Sequence, residues 1–255
     1  MILLNSFITG LFPYKCCLCN QDLKHELKTK NKQLNRLCEK CCLDLLQNTS
    51  LKRFHAKVEN LEADQKIGQF FYFWNFENYA ETLIKKYKFG RNYRLAELFA
   101  EFAFICLRNF NILNTTTDQG SSCAKDSDSK VELAAWDYIC HVPSAPSSIK
   151  RKRFNHAQML ANALSKRIRI DTSRNALSAS RERKSQSELN KSSRLKNIAG
   201  AFSAAPEIVR NRKVLLIDDI TTTGATIAEC CKTLYEAGAR QVDVITLAKR
   251  ELFEI

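Results

Sequence analysis

Val214-Leu215-Leu216-Ile217 is an unbroken apolar run, and Asp218 and Asp219 follow it at once. A short run with no polar alternation predicts a strand buried on both faces, as in a parallel sheet. After Thr221-Thr222-Thr223-Gly224-Ala225-Thr226 the pattern turns helical, with apolar positions at Ile227, Cys231 and Leu234/Tyr235. Gly238 stands where such a helix would stop. Lys213–Ile217 and Gln241–Leu247 are thus two strands joined by one helix. Upstream, Tyr138–Val142 reads as a strand ending at Pro143-Ser144. Residues 155–168 read as a helix with Ala157, Leu160/Ala161, Leu164 and Ile168 on one face. Residues 67–75 form an aromatic-rich strand or hairpin arm (Phe70, Phe71, Tyr72, Phe73, Trp74) whose expected place is the core. Helices are expected over 76–89, from Tyr79, Leu83, Ile84 and Tyr87, and over 93–110, from Leu95, Leu98, Phe99, Phe102 and Cys106. Strands alternating with helices predict an α/β fold, a doubly wound and mainly parallel sheet.

Two stretches lack either period. Residues 114–130 are small and polar, which predicts a flexible loop. Residues 14–46 carry Cys16-x-x-Cys19 and Cys38-x-x-Cys41 with 18 residues between them. This is the spacing of a tetrahedral four-cysteine zinc site, each pair presenting two thiolates from a tight turn. With all four positions filled by protein, the zinc would be structural. Cys17 and Cys42 are spare members of their pairs; His25 could serve as a ligand but reads as a surface histidine of the connecting loop, and His55 is assigned no role. The expected organisation is an N-terminal segment with a zinc finger over 1–50 and a larger domain over 51–255.

The chain has 255 residues, 45% of them hydrophobic, enough for one α/β domain and a small appendage. No apolar stretch approaches the ~20 residues needed to span a bilayer, and Met1–Phe12 lacks the basic start and cleavage site of a leader. The 11 cysteines are odd in number and include three adjacent pairs, unlike a secreted disulfide framework. A reducing, cytoplasmic setting is expected.

The net charge of +13 is concentrated. Lys150–Lys213 holds 17 Lys/Arg against 4 Asp/Glu, and the rest of the chain sums to zero. Such a field attracts polyanions, either nucleic acid or a pyrophosphate.

A strand, a tight loop and a helix in succession aim backbone N–H groups and the positive helix end at one point, which suits a phosphate. Threonine hydroxyls add donors. Carboxylates at the strand's carboxyl end can accept from the paired hydroxyls of a ribose or hold water around Mg²⁺. Together these features point to a 5-phosphoribosyl group.

The segment resembles the phosphoribosyl pyrophosphate (PRPP) loop of type I phosphoribosyltransferases. With the paired CxxC motifs, Leu83-Ile84 and Lys88-Phe89-Gly90, His141-Val142-Pro143-Ser144, Phe154-Asn155, Leu160-Ala161, Gln186, Leu189, Arg194, Asn197, Ala201-Phe202 and Ala248-Lys249-Arg250, the chain resembles the ComF competence family over roughly Tyr14 to Arg250. It departs from that pattern at Arg153, where the family has Gly, at His156, where it has Gln, and at Arg183, where it has Thr. The resemblance implies a phosphoribosyltransferase-like domain with an N-terminal zinc finger, and a part in handling incoming single-stranded DNA during natural transformation. It implies that Asp218 and Asp219 bind ribose and metal, and would be the catalytic pair of an enzyme. Thr221, Thr222, Thr223, Gly224, Ala225 and Thr226 would hold the 5-phosphate, and Ser144 the pyrophosphate. Lys150, Arg151, Lys152, Arg153 and Arg194 are the candidate DNA contacts, and Cys16, Cys19, Cys38 and Cys41 the Zn²⁺ ligands. The alternative is an active Mg²⁺-dependent phosphoribosyltransferase of nucleotide salvage. Seventeen cations in 64 residues exceed the need of a single PRPP and put DNA first.

Overall fold

The computed structural model describes residues 15–23, 36–53, 67–89, 95–110, 112–113, 136–144, 154–179 and 198–250. In chain order these form α1 (Glu39–Asn48), β1 (Lys52–Arg53), β2 (Phe70–Asn75), α2 (Asn78–Phe89), α3 (Leu95–Asn109), β3 (Tyr138–His141) and α4 (His156–Ile168). There follow β4 (Leu177–Ala179), β5 (Phe202–Ala204), α5 (Pro206–Val209), β6 (Lys213–Thr221), α6 (Ala225–Glu236) and β7 (Gln241–Lys249). The loop expected over 114–130 lies outside the described residues.

Five strands form one sheet in the order β1-β2-β7-β6-β3; β1 is antiparallel to β2 and the other pairings are parallel. Alternate residues of each strand enter different cores, as the pleat requires. Leu215, Ile217, Phe71, Phe73, Ile139, Ile245 and Leu247 pack with α2, α3 and α4 on one side. Val214, Leu216, Cys140, Val242 and Val244 pack with α6 and the small antiparallel β4–β5 sheet on the other. The sheet is therefore covered on both faces, the doubly wound arrangement that its apolar strands require.

Two boundaries differ from the sequence reading. β6 does not stop at Ile217 but continues through the acidic pair to Thr221, and β7 continues to Lys249. The pairing of Asp218 with Thr246, Ile220 with Ala248 and Thr221 with Lys249 carries the ladder past the apolar run. Polar strand residues leave no period to read. Strands β1, β4 and β5, of two or three residues, are too short to show one either.

Asp243 is an acid built into the core. It lies opposite Leu215 in the ladder and is 5% exposed. The Gln69 amide donates to its Oδ1 at 2.8 Å and the Trp136 indole to its Oδ2 at 2.8 Å, while the Gln241 side-chain amide bridges both oxygens at 2.9 and 3.1 Å. Gly68 makes room for it, since a Cβ there would sit 2.2 Å from Oδ1. Asp243→Ala leaves the buried Trp136 indole without its acceptor and takes the shared acceptor from Gln69 and Gln241. It is expected to cost about 2–4 kcal/mol, given ~1.5–3 kcal/mol for a hydrogen bond to a charged group. Urea unfolding checks this; a change under about 0.5 kcal/mol, the range of an ordinary surface substitution, would refute it.

Candidate functional site

The chain leaves β3 toward α4 on one face of the sheet and leaves β6 toward α6 on the other. In open α/β sheets, ligands bind in the crevice at the carboxyl ends of adjacent parallel strands whose helices lie on opposite faces. Asp218 and Asp219 stand at that edge. Oδ1 of Asp218 accepts the Asp219 amide at 2.8 Å, and Oδ1 of Asp219 accepts the Ile220 amide at 2.7 Å. Each carboxylate is thus oriented by the next amide through one oxygen.

Beyond the pair the chain turns sharply into α6. Thr221 is 3% exposed, its carbonyl accepts the Arg250 amide at 2.8 Å, and its hydroxyl meets no partner among the described residues. Thr222 is half-buried, Thr223 is exposed, and the Thr223 hydroxyl lies 3.4 Å from the Ala225 amide. Gly224 takes φ +79°, a left-handed angle that costs a residue without Cβ little. A Cβ there would meet nothing within 4 Å, so the angle, not crowding, calls for glycine. Gly224 occupies the cap position of α6 and brings no side-chain acceptor. The positive end of α6 therefore opens on this turn without a cap from Gly224, and the Thr223 hydroxyl lies against its Ala225 amide. This is the geometry of an anion cradle.

The last turn of α2 holds three neighbouring elements in three successive residues. Lys86 donates to the Leu18 carbonyl at 2.6 Å. Buried Tyr87 donates to the His156 carbonyl at 2.7 Å, and its own proton is held more tightly than usual by burial and then by the charge of Asp219. The Lys88 ammonium lies 2.8 Å from Oδ1 of Asp219. Across the crevice, Asn155 caps α4 by accepting the Gln158 amide at 3.2 Å and donates to the Val142 carbonyl at 2.9 Å. This ties the start of α4 to the end of β3 and positions half-buried Ser144 beyond it. His156 packs edge-on between Tyr87 and Phe154 at 4.9 and 5.3 Å. Burial, with help from the Arg174 charge, lowers the His141 pKa to about 4 and keeps that ring neutral.

The acidic pair is a poor seat for Mg²⁺ on its own. The same Asp219 oxygen that receives an amide also receives an ammonium, and a divalent cation placed there would meet that like charge.

The cysteines form a second site. The Sγ atoms of Cys16, Cys19, Cys38 and Cys41 all lie within 4.8 Å of one another, and Cys19 and Cys38 are 3.7 Å apart. Tetrahedral zinc with Zn–S bonds near 2.3 Å sets its sulfurs about 3.8 Å apart, so the cluster can hold a metal ion such as zinc. The first pair closes a turn in which the Asn20 amide bonds the Cys16 carbonyl at 2.9 Å and Asn20 takes φ 64°. The second pair is the opening turn of α1, with Cys38 at its cap, and burial pushes the Cys38 thiol up. Burial raises the Cys16 thiol, but hydrogen bonds from the backbone of Cys19, Cys38 and Leu18 outweigh it and bring it down to about 7. Cys17, outside the cluster, is pushed up to about 12 by burial and by the Cys16 charge. Cys106, Cys140, Cys230 and Cys231 are small buried residues of the core.

Lys150, Arg151, Lys152, Arg153 and Arg194 lie outside the described residues, as do Arg183, Gln186, Leu189, Asn197, His25 and His55. Lys88 lies in the Lys88-Phe89-Gly90 motif, whose spacing assigns it no role. No spacing rule joins it to Asp219, because the fold, not the chain, makes them neighbours.

The phosphoribosyl transferase domain family matches residues 155–251. Competence protein F of Haemophilus influenzae is 26% identical over 171 residues, 66% of each chain. The DNA utilization protein YhgH of Escherichia coli is 30% identical over 113 residues, 44% of this chain and 49% of that protein. Competence protein ComFC of Streptococcus pneumoniae is 24% identical over 250 residues, 92% of this chain and all of that one. The matches to the first two thus span about two thirds and half of those relatives' length. The solved structure of the allosteric regulatory enzyme of purine biosynthesis shares 19% identity over 44% of this chain and 22% of its own, with a TM-score of 0.29, too weak to bear on the fold. Sheet, crevice and loop define a phosphoribosyltransferase-like protein. Its likeness to competence protein F and ComFC supports a ComF-family protein. Among the described residues, no helix is long and apolar enough to cross a membrane.

Proposed function

We propose that this protein handles incoming single-stranded DNA in natural transformation and that the Asp218–Thr226 loop is its ribose-phosphate site. The observation behind this reading is the meeting of an oriented acid pair with the positive end of α6, in a chain whose whole charge excess lies in the stretch leading into β6. In this reading Asp218 and Asp219 accept from ribose hydroxyls, and Thr222, Thr223, Thr226 and the first-turn amides of α6 bind the phosphate. Ser144, Lys150, Arg151, Lys152, Arg153 and Arg194 contact further phosphates along the strand. The names of the competence and DNA utilization relatives agree with this role. The four cysteines hold a structural Zn²⁺, and the protein works in the cytoplasm.

Contacts of this kind are independent of base sequence and weaken with salt, by roughly 0.7 in the slope of log K against log[salt] per phosphate neutralised on a single strand. Replacing Lys150, Arg151, Lys152 and Arg153 together by Gln is expected to flatten that slope by up to about 3 and to weaken binding of all sequences alike. Fluorescence anisotropy of a labelled oligonucleotide over a salt series measures both. Wild-type protein without salt-dependent binding would end the DNA reading.

The match of residues 155–251 to the phosphoribosyl transferase domain keeps a second reading open, an enzyme of nucleotide salvage. Such an enzyme takes PRPP, with Mg²⁺ on its pyrophosphate, and displaces that pyrophosphate from the ribose. A pyrophosphate-release assay over a panel of nucleobases tests it; no release with any base rules it out.

A further inference from the structure

The acid pair of the crevice already has its own cation. We infer that Lys88 is the counter-ion through which this pair receives a ribose phosphate, taking at Asp219 the place a divalent metal would otherwise fill, so that a ribose monophosphate binds without metal. The inference rests on the ribose-phosphate reading of the loop given above.

The Lys88 ammonium is 2.8 Å from Oδ1 of Asp219, and the two side chains are only 22% and 14% exposed. This is not a surface pair weakened by solvent. Lys88 is held in place because Tyr87, beside it on α2, is buried and hydrogen-bonded to the start of α4. The end of the helix therefore cannot swing away from the end of β6 without breaking that bond. Lys88 and the Ile220 amide share Oδ1, and no described group reaches Oδ2 of Asp219. One oxygen is thus fixed and the other is left for a ligand hydroxyl.

Two adjacent carboxylates repel an arriving phosphate dianion. Removing one negative charge from the pair's field lowers that barrier, which is the service Mg²⁺ gives when a site lacks a cation of its own. Lys88 acts here as a positioning residue, through Asp219.

Calorimetric titration of the full-length, zinc-loaded protein with ribose 5-phosphate tests this in chelator-free buffer, with and without millimolar Mg²⁺. Wild type is expected to bind equally under both conditions. Lys88→Met is expected to bind roughly tenfold more weakly without Mg²⁺, the scale of one lost charge-assisted hydrogen bond, and to recover when Mg²⁺ is added. Lys88→Arg is expected to behave as wild type. A wild type that needs Mg²⁺, a Lys88→Met variant that binds normally without it, or one that Mg²⁺ fails to rescue would each overturn the inference. The wild-type arm decides the matter even if Lys88→Met folds poorly, which its zinc content and thermal melt would reveal. A wild type that binds no ribose 5-phosphate under either condition removes the ribose-phosphate reading itself, and this inference with it.

Discussion

Replacing Cys16 and Cys38 together by Ser is expected to give a zinc-free protein that melts roughly 10–20 °C lower than wild type, at ~2–4 °C per kcal/mol for a chain of this size. Binding of a structural zinc is largely folding free energy, of order 10 kcal/mol in small fingers. About half of that suffices here, because the core already holds part of the site together. Leu18, Leu37, Cys41 and Leu45 share one apolar cluster with Leu83, Trp74 and Phe102. The Trp74 indole donates to the Thr49 hydroxyl at 2.8 Å, and the Ser50 amide to the Phe73 carbonyl at 3.4 Å. Lys86 reaches back to Leu18. Read from sequence, the finger is an appendage that should unfold alone. These contacts predict that the damage extends to α1, β1 and the β2 edge of the sheet. Elemental analysis should find one zinc per chain in wild type and none in the variant. Wild type without zinc, or a variant that keeps it, would refute the assignment. A finger that unfolds without any change in the main melting transition would refute only the coupling.

Asp218→Asn with Asp219→Asn is expected to weaken ribose-phosphate binding by about a hundredfold or more, from two charge-assisted hydrogen bonds at roughly 1.5–3 kcal/mol each. Asn keeps an acceptor oxygen for the neighbouring amide, so the shape of the loop should survive the change. What is lost is charge: the ligand hydroxyls meet a neutral acceptor, and Lys88 loses its partner. Calorimetry with PRPP and Mg²⁺ measures the effect, and circular dichroism controls for folding. Unchanged affinity would mean that the loop keeps the shape of a phosphate site without its use.

The apolar runs, the CxxC spacing and the order of strand, acid pair, threonine turn and helix were legible in the chain because each is local. A buried strand must be apolar, a zinc knuckle needs two cysteines per turn, and Gly224 and Gly238 stand where φ of 79° and 92° favours glycine. These features determined the α/β class, the four clustered cysteines and the candidate phosphate loop. Only the tertiary structure decided that β6 runs on through Asp218 and Asp219, since the partner that extends it is β7. It also decided that β3 and β6 lie side by side with α4 and α6 on opposite faces of the sheet. The pairing of Lys88 with Asp219 and the burial of Asp243 under Trp136 join residues far apart in the chain. The physical reason is the same in each case. A charge becomes a working group through what the fold sets within hydrogen-bond reach of it, and sequence period records burial, not the identity of the neighbour.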